Sequence, residues 1–414
     1  MMEYVTLNKG KYKPGFDVEK EYSKRHESFA TYQLPLTKKG YDYNTQYDLF
    51  VYSAIELNEL IYEILHLDGL VCHLIDKLPE VAVRQYINSR LLFEVEHTNL
   101  IEGVRSSRVE IKEAIGNSNE SKRKKFEALA KKYNLLANEL HDLQIPLRTS
   151  ADIRELYDEI LLDEVVEADP KDYPDGSIFR NGEVEVKTST QRVIHKGVLP
   201  ESRIIQNVDE LLDFLNSYKC SNLLKVAVFH YYMGYIHPFY DGNGRLIRFI
   251  TTYLLLKTLN PVSPFNLSMT IEENKRTYEQ AFDEANSPNN RGDITSFCIE
   301  FFKILKDSMD KTLKALYEKY EAYMYYRRKI EMINAETVKK DILLILVQVY
   351  LFNDDETPVE RKFLLKVLKE TTMVKMAEGT LRVKLNELSE AGLIDISKPS
   401  KQYLYSISKK FIEG

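Results

Sequence analysis

Cysteine is scarce in this chain of 414 residues. Cys72, Cys220 and Cys298 stand far apart, and none belongs to a CxxC pair. That argues against a disulfide framework and a cysteine-based zinc site, and it fits a reducing compartment; each thiol is expected as a small buried hydrophobe. Long apolar runs are missing as well. Stretches such as Ile342 to Tyr350 are much too short to span a bilayer, and the opening MMEYVTLNKGKYKPGF lacks the apolar core of a secretory signal. A cytoplasmic protein without membrane contact is therefore expected. Nor is one sign of charge in large excess. A formal net charge of −6 argues against a protein that coats nucleic acid through its overall field. Internal repeats and low-complexity tracts are absent.

What the chain does contain is the composition of a globular protein, 44% hydrophobic and 29% charged, at a length that calls for two or three domains. Apolar residues recur mostly at three and four positions, so the expected class is mainly α. Residues 1–45 are polar and read as irregular. Helical periodicity runs over Leu49 to Leu67 and Ala82 to Glu102, and Ser107 to Glu110 has the capping-box pattern that opens a helix. Further helices are expected over Ser121 to Leu143, Ile153 to Leu162, Val208 to Tyr218, Asn222 to Ile236, Gly244 to Leu259, Ile271 to Asn286 and Asp293 to Met332. Between 165 and 202, glycines and prolines interrupt the pattern. Asn181-Gly182 is a hairpin-turn signal beside alternating Val184 and Val186, which predicts a small β-hairpin. Residues 331–414 read as three helices followed by two short strands, the winged-helix order.

Chemistry concentrates in His237-Pro238-Phe239-Tyr240-Asp241-Gly242-Asn243-Gly244-Arg245-Leu246-Ile247-Arg248. Pro238 cannot continue the helix before it, and two glycines allow a tight turn into the next one. Glycines at a helix N-terminus let backbone N–H groups approach an anion that the helix dipole favours. Arg245 and Arg248, three apart, share a helix face, and two guanidinium forks at that point suit a triphosphate. Asp241 at the rim can hold Mg²⁺ together with phosphate oxygens. A neutral His237 can take a proton from an attacking hydroxyl. Taken singly, each feature is more often a turn, a cap or a solvated face; it is their order in one stretch that favours chemistry.

The segment resembles the signature of the Fic family, HPFx(D/E)GNGRxxR, at every fixed position. The resemblance spans residues 146–330 and implies a Fic-fold helical bundle whose hairpin, at 177–199, is the target-docking flap. It implies a protein adenylyltransferase, moving AMP from ATP to a Ser, Thr or Tyr hydroxyl of a target protein, with Mg²⁺. His237 would be the general base and Asp241 the metal ligand. Gly242, Asn243 and Gly244 would surround the α-phosphate, Arg245 would contact the β-phosphate and Arg248 the γ-phosphate. Tyr278 and Asn286 fall near positions that line the adenine pocket. Upstream, Thr98-Asn99-Leu100-Ile101-Glu102-Gly103 resembles the inhibitory motif (S/T)xxxE(G/N) of many Fic proteins. Thr98 and Glu102 share a helix face, and Glu102 would pair with Arg248 and deny it to ATP.

The resulting organisation is an N-terminal helical region over 1–145 with the inhibitory helix at 98–103, a catalytic domain over 146–330 and a winged-helix-like domain over 331–414. Arg382, Lys384, Lys398 and Lys401 give that last module a basic side, but Glu378, Glu387 and Glu390 offset it. Protein contact or homodimerisation is expected there ahead of DNA binding. Auto-modification, transfer of another phosphate-containing group, removal of AMP, and a nucleotide-sensing DNA-binding regulator stay open as alternatives.

Overall fold

The computed structural model describes residues 4–39, 45–116, 126–139, 143–187, 193–354, 358–372, 376–399 and 402–413. They form two units: Met1–Gly69 with Leu91–Asp310, and Leu70–Arg90 with Lys311–Gly414. The divisions expected from the sequence, after 145 and after 330, follow chain order, whereas these units interleave in it. Both are mainly helical, with small antiparallel sheets.

In the first unit, α1 (Leu7–Gly10), α2 (Val18–His26), β1 (Thr31–Lys39) and β2 (Gln46–Tyr52) precede α3 (Ile55–Ile75) and α4 (Glu80–Ile101). Then come α5 (Arg108–Gly116), α6 (Glu127–Asn138), α7 (Ser150–Tyr157), a π-helical turn (Asp158–Leu162) and α8 (Asp163–Ala168). The hairpin β3 (Glu185–Lys187) and β4 (Val193–Lys196) leads into α9 (Glu201–Ser217), α10 (Asn222–Ile236) and α11 (Asn243–Leu256). The unit continues with α12 (Leu267–Glu273), α13 (Lys275–Asn286) and the start of α14 (Thr295–Glu331). Helix α10 is buried on almost every face, from Leu223 to Ile236, and packs between α9 and α11. That is how a helix without an amphipathic stripe becomes a core element.

Several local signals act as read. Ser107 and Glu110 form the capping box: each accepts from the other's backbone N–H, at 3.3 and 2.9 Å. Others differ. Residues 1–45 are not irregular throughout, because they contain α1, α2 and β1. Their order comes from distant partners rather than from local periodicity. Arg25 pairs with buried Asp293 at 3.3 Å, and Thr6 donates to Glu284. The Lys38 amine caps α13 through the Ala285 carbonyl at 2.6 Å. The periodic stretch from Leu49 begins as a strand: Leu49, Phe50 and Val51 are all buried, and Phe50 and Val51 pair with Gln33 and Tyr32 of β1. Asn181-Gly182 is not the hairpin turn; it precedes β3, and the residues joining the two strands, 188–192, lie outside the described set. The expected 121–143 helix is present as α6 over Glu127–Asn138, while 121–125, 140–142 and Lys401 fall outside the described set. Cys298 is buried, but Cys72 and Cys220 are only half-buried.

The second unit comprises α15 (Thr337–Phe352), β5 (Val359–Glu360), α16 (Arg361–Thr372), α17 (Glu378–Glu390), β6 (Ile394–Ser397), β7 (Leu404–Ile407) and α18 (Lys409–Glu413), with parts of α3, α4 and α14. Its sheet runs β5-β7-β6, with β7 central.

Candidate active site

Helix α10 stops at Ile236 because His237 adopts a left-handed conformation, φ 53°, and Pro238 follows. A non-glycine residue in that region marks local strain that neighbours must hold. Arg180 does the holding. Its side chain is fully buried and donates Nε to the His237 carbonyl at 2.9 Å, Nη1 to Gly182 at 2.7 Å and Nη2 to Val198 at 3.0 Å. The bend from Phe239 to Gly242 is pinned from inside. The Asn243 amide accepts from the Phe239 N–H at 3.0 Å and donates to its carbonyl at 2.8 Å. Phe239 stacks flat on Tyr157, centroids 3.7 Å apart, and the Tyr157 hydroxyl donates to the Asp241 carbonyl at 3.1 Å. Gly242 has φ 80° with Tyr157 and Leu161 3.2 and 3.3 Å from where a Cβ would stand, so only glycine fits there.

With the Asn243 side chain used inside the loop, its backbone N–H remains at the start of α11. It is joined by those of Gly244 and Arg245. All three precede the first intrahelical bond, from the Leu246 N–H to the Gly242 carbonyl at 3.0 Å. The two arginines near the start of α11 are buried and each meets an acid. Arg245 donates Nη1 to Glu164 at 2.7 Å and reaches Asp241 from Nη2 at 3.4 Å; its Nε is buried with no acceptor among the described residues. Arg248 donates Nη2 to Glu102 at 2.7 Å and to the Thr98 carbonyl at 2.9 Å, and Nε to the Thr98 hydroxyl at 2.8 Å. The Thr98 carbonyl is free to accept because the Glu102 N–H turns to Asn99, three residues back. Glu102 thus sits over the start of α11, and a Cβ on Gly244 would collide with its carboxylate.

Burial alone would raise the Glu102 carboxyl, but the charge and hydrogen bond of Arg248, with Arg245 and His237 adding, hold it below its ordinary value. Burial and the Arg180 charge push His237 down to about 4, against the opposing pull of Glu102. The imidazole is therefore neutral at pH 7. In that neutral form one ring nitrogen is an acceptor.

Residues 147–255 match the Fic/DOC family. That stretch of the chain is thus similar to a Fic/DOC domain. A Fic family protein from Desulfovibrio desulfuricans G20 has a TM-score of 0.52 at 17% identity, covering 91% of this chain and 99% of that one. Fic-1 (residues 134–508) from C. elegans gives 0.45 at 19%, covering 63% and 74%. A Fic domain containing signaling protein from Bacteroides thetaiotaomicron gives 0.37 at 18%, covering 64% and 97%. At such identities the first of these is a likeness of fold.

Within the matched stretch, His237, Asp241 to Arg245 and Arg248 come together as the motif groups them, and Thr98 and Glu102 join from α4. Tyr278 and Asn286 do not meet. The Tyr278 hydroxyl bonds His230 Nε2 at 2.7 Å, and burial pushes it up beside Arg248. Asn286 instead lines a cavity of about 910 Å³ with Lys38, His195 and Lys196, and Tyr278 is not among its walls. Spacing along α13 could not reveal this, since eight residues advance a helix by roughly 12 Å. Arg180, Tyr157, Glu164 and Glu94 support the site without any motif signal. Each lies far from His237 in sequence and acts through one side chain.

Proposed function

We propose that the chain is a protein adenylyltransferase that moves AMP from ATP to a Ser, Thr or Tyr hydroxyl of a target protein, itself included, and that Glu102 restrains it. The observation that carries this is the pairing of Glu102 with Arg248, at 2.7 Å, over the helix start where backbone N–H groups and two guanidiniums converge. A triphosphate is the ligand that answers this set: the first-turn N–H groups take the α-phosphate and the arginines take the rest. The buried Nε of Arg245, without an acceptor, supports an anion at that point. While Glu102 occupies Arg248, ATP meets one guanidinium fewer and sits in a pose unsuited to transfer.

In the reaction, neutral His237 takes the proton from the target hydroxyl as its oxygen bonds to the α-phosphorus. The bond to the bridging oxygen breaks, and pyrophosphate leaves. The fixed N–H groups and guanidiniums stabilise charge on the phosphates without reorganising. Asp241, its side chain 46% exposed, would hold Mg²⁺. Among the described residues, no three of His, Cys, Asp or Glu gather as a metal cluster, which suits an ion held by one carboxylate and the substrate's own phosphates. Bound there, the ion would neutralise charge on the leaving pyrophosphate.

The helix, strand, helix, helix and hairpin order from α15 to β7 supports a winged helix. Several of its basic side chains are paired with acids. Lys384 pairs with Glu336, Lys339 with Glu387 at 2.7 Å and Arg361 with Glu378 at 2.5 Å. That favours protein contact over DNA, and a gel shift at varied salt tests it.

We predict that Glu102→Gly, incubated with labelled ATP, UTP, GTP or CTP, labels itself and a lysate protein from ATP, well above the parent chain. Adding His237→Ala abolishes the label while a thermal shift with ATP persists. Label from another nucleotide redirects the substrate class. No label from any of the four rejects transferase activity, and equal labelling by parent and variant rejects the restraint.

A further inference from the structure

We propose that Glu164 is a positioning residue that presents Arg245 to the nucleotide, an inference that rests on the phosphate cradle above. Both arginines of the cradle meet a carboxylate, but the two contacts are built differently. Glu102 is 28% exposed and grips Arg248 through Oε1 just past the end of α4. Glu164 is 11% exposed and held on both sides: Oε1 accepts from Arg245 at 2.7 Å, and Oε2 accepts from the Phe126 backbone N–H at 2.9 Å. A carboxylate tied at both oxygens is a prop, whereas one tied at a single oxygen can swing away.

The fork of Arg245 shows what the prop leaves over. Glu164 takes Nη1. Asp241 reaches Nη2 only at 3.4 Å, which is long for a charge-assisted bond. Nε is buried and without an acceptor among the described residues. The Nε–Nη2 edge, an edge that can bind a phosphate in bidentate fashion, is therefore the one left without a close acceptor among the described residues. The supporting segment touches the loop at both ends. Tyr157 lies under Phe239, Glu164 lies against Arg245, and the π-helical turn Asp158–Leu162 lies between them. Such turns recur at functional sites because they re-aim the side chains that follow.

The test is made in the Glu102→Gly background, where Arg248 is free, with Glu164→Ala and Glu164→Gln. Titrations with ATP, ADP and AMP are the main readout, because only the first two carry a phosphate beyond the α position. Glu164→Ala is expected to weaken ATP and ADP about tenfold, to leave AMP unchanged and to lower kcat/KM for transfer. Glu164→Gln, which keeps an acceptor for Nη1, is expected to recover most of the loss. Removing a carboxylate would by itself draw anions in more strongly, so selective weakening reports position rather than charge. Equal loss for all three nucleotides alongside a lower Tm would make Glu164 merely structural and overturn the proposal. So would unchanged binding, or tighter ATP binding with faster transfer, which would make it a second restraint. If the Glu102→Gly chain itself binds neither ATP nor ADP, the cradle fails before Glu164 is in question.

Discussion

Glu94 lies fully buried on the face of α4 that also carries Thr98 and Glu102, one and two turns along. Its carboxylate accepts from the Ser268 N–H at 2.9 Å and hydroxyl at 2.6 Å, and from the Thr252 hydroxyl at 3.3 Å. Burial outweighs these bonds and the nearby Arg248 charge, and pushes the carboxyl up to about 7. The folded chain therefore holds this proton more tightly than the unfolded one. The stabilisation is complete below the unfolded value near 4.5 and is lost as pH rises through about 7. Buried histidines pull the other way: His230 is held down to about 3, so its contribution is lost as pH falls. We predict that Glu94→Gln, compared with the parent at each pH, gains stability progressively from pH 5 to 8, up to about 3 kcal/mol. Denaturant midpoints at four pH values check this, and a variant-minus-parent difference that is flat with pH would reject it. The motif from His237 to Arg248 was legible because its members are neighbours in sequence. Glu94, Arg180 and Glu164 were not, because a single buried charge leaves no pattern until the fold brings its partners to it.

Helix α4 ends where the proposed restraint begins. Gly103 takes φ 79°, the Val104 N–H returns to the Asn99 carbonyl at 3.0 Å, and Lys275 Nζ donates to the Ile101 carbonyl at 2.8 Å. These contacts fix the last turn and so fix Glu102 over Gly244. A Cβ at position 103 would meet nothing within 4 Å, so its only penalty is conformational, about 1 kcal/mol for the left-handed region. We predict that Gly103→Ala raises self-labelling severalfold, well short of Glu102→Gly, with Tm nearly unchanged. Labelling equal to the parent would mean that the cap does not tune the restraint. At this scale the sequence read well wherever an element carried its own signal. Helix α10 runs from Asn222 to Ile236 as the sequence predicts. It read badly where tertiary partners decide. Strand β2 is defined by pairing with β1 and by the bond from the Phe50 N–H to Gly292 at 3.0 Å, neither of which local periodicity contains.

The interleaving of the two units has a consequence for the molecule as a whole. Chain order suggests that a cut after residue 330 would free the catalytic part, but Leu70–Arg90 belongs to one unit with Lys311–Gly414, most of which the cut removes. Within that unit Ser89 donates to Asp354 at 3.0 Å and Arg90 pairs with the same carboxylate. Val71, Leu74, Val81, Ala82 and Tyr86 on this stretch are buried in the full chain. Each large apolar side chain left without cover forfeits about 1.5–3 kcal/mol, and a contiguous exposed patch promotes association. We predict that fragment 1–330 melts below the full chain, binds a hydrophobic dye and elutes as oligomers, even though every residue of the His237–Arg248 loop and its supports is present. Replacing Val71, Leu74, Val81 and Tyr86 with polar residues in the fragment is expected to restore a monomer, while the same changes in the full chain destabilise it. A fragment 1–330 that is monomeric and dye-silent would mean that residues 70–90 find their cover within the first 330 residues.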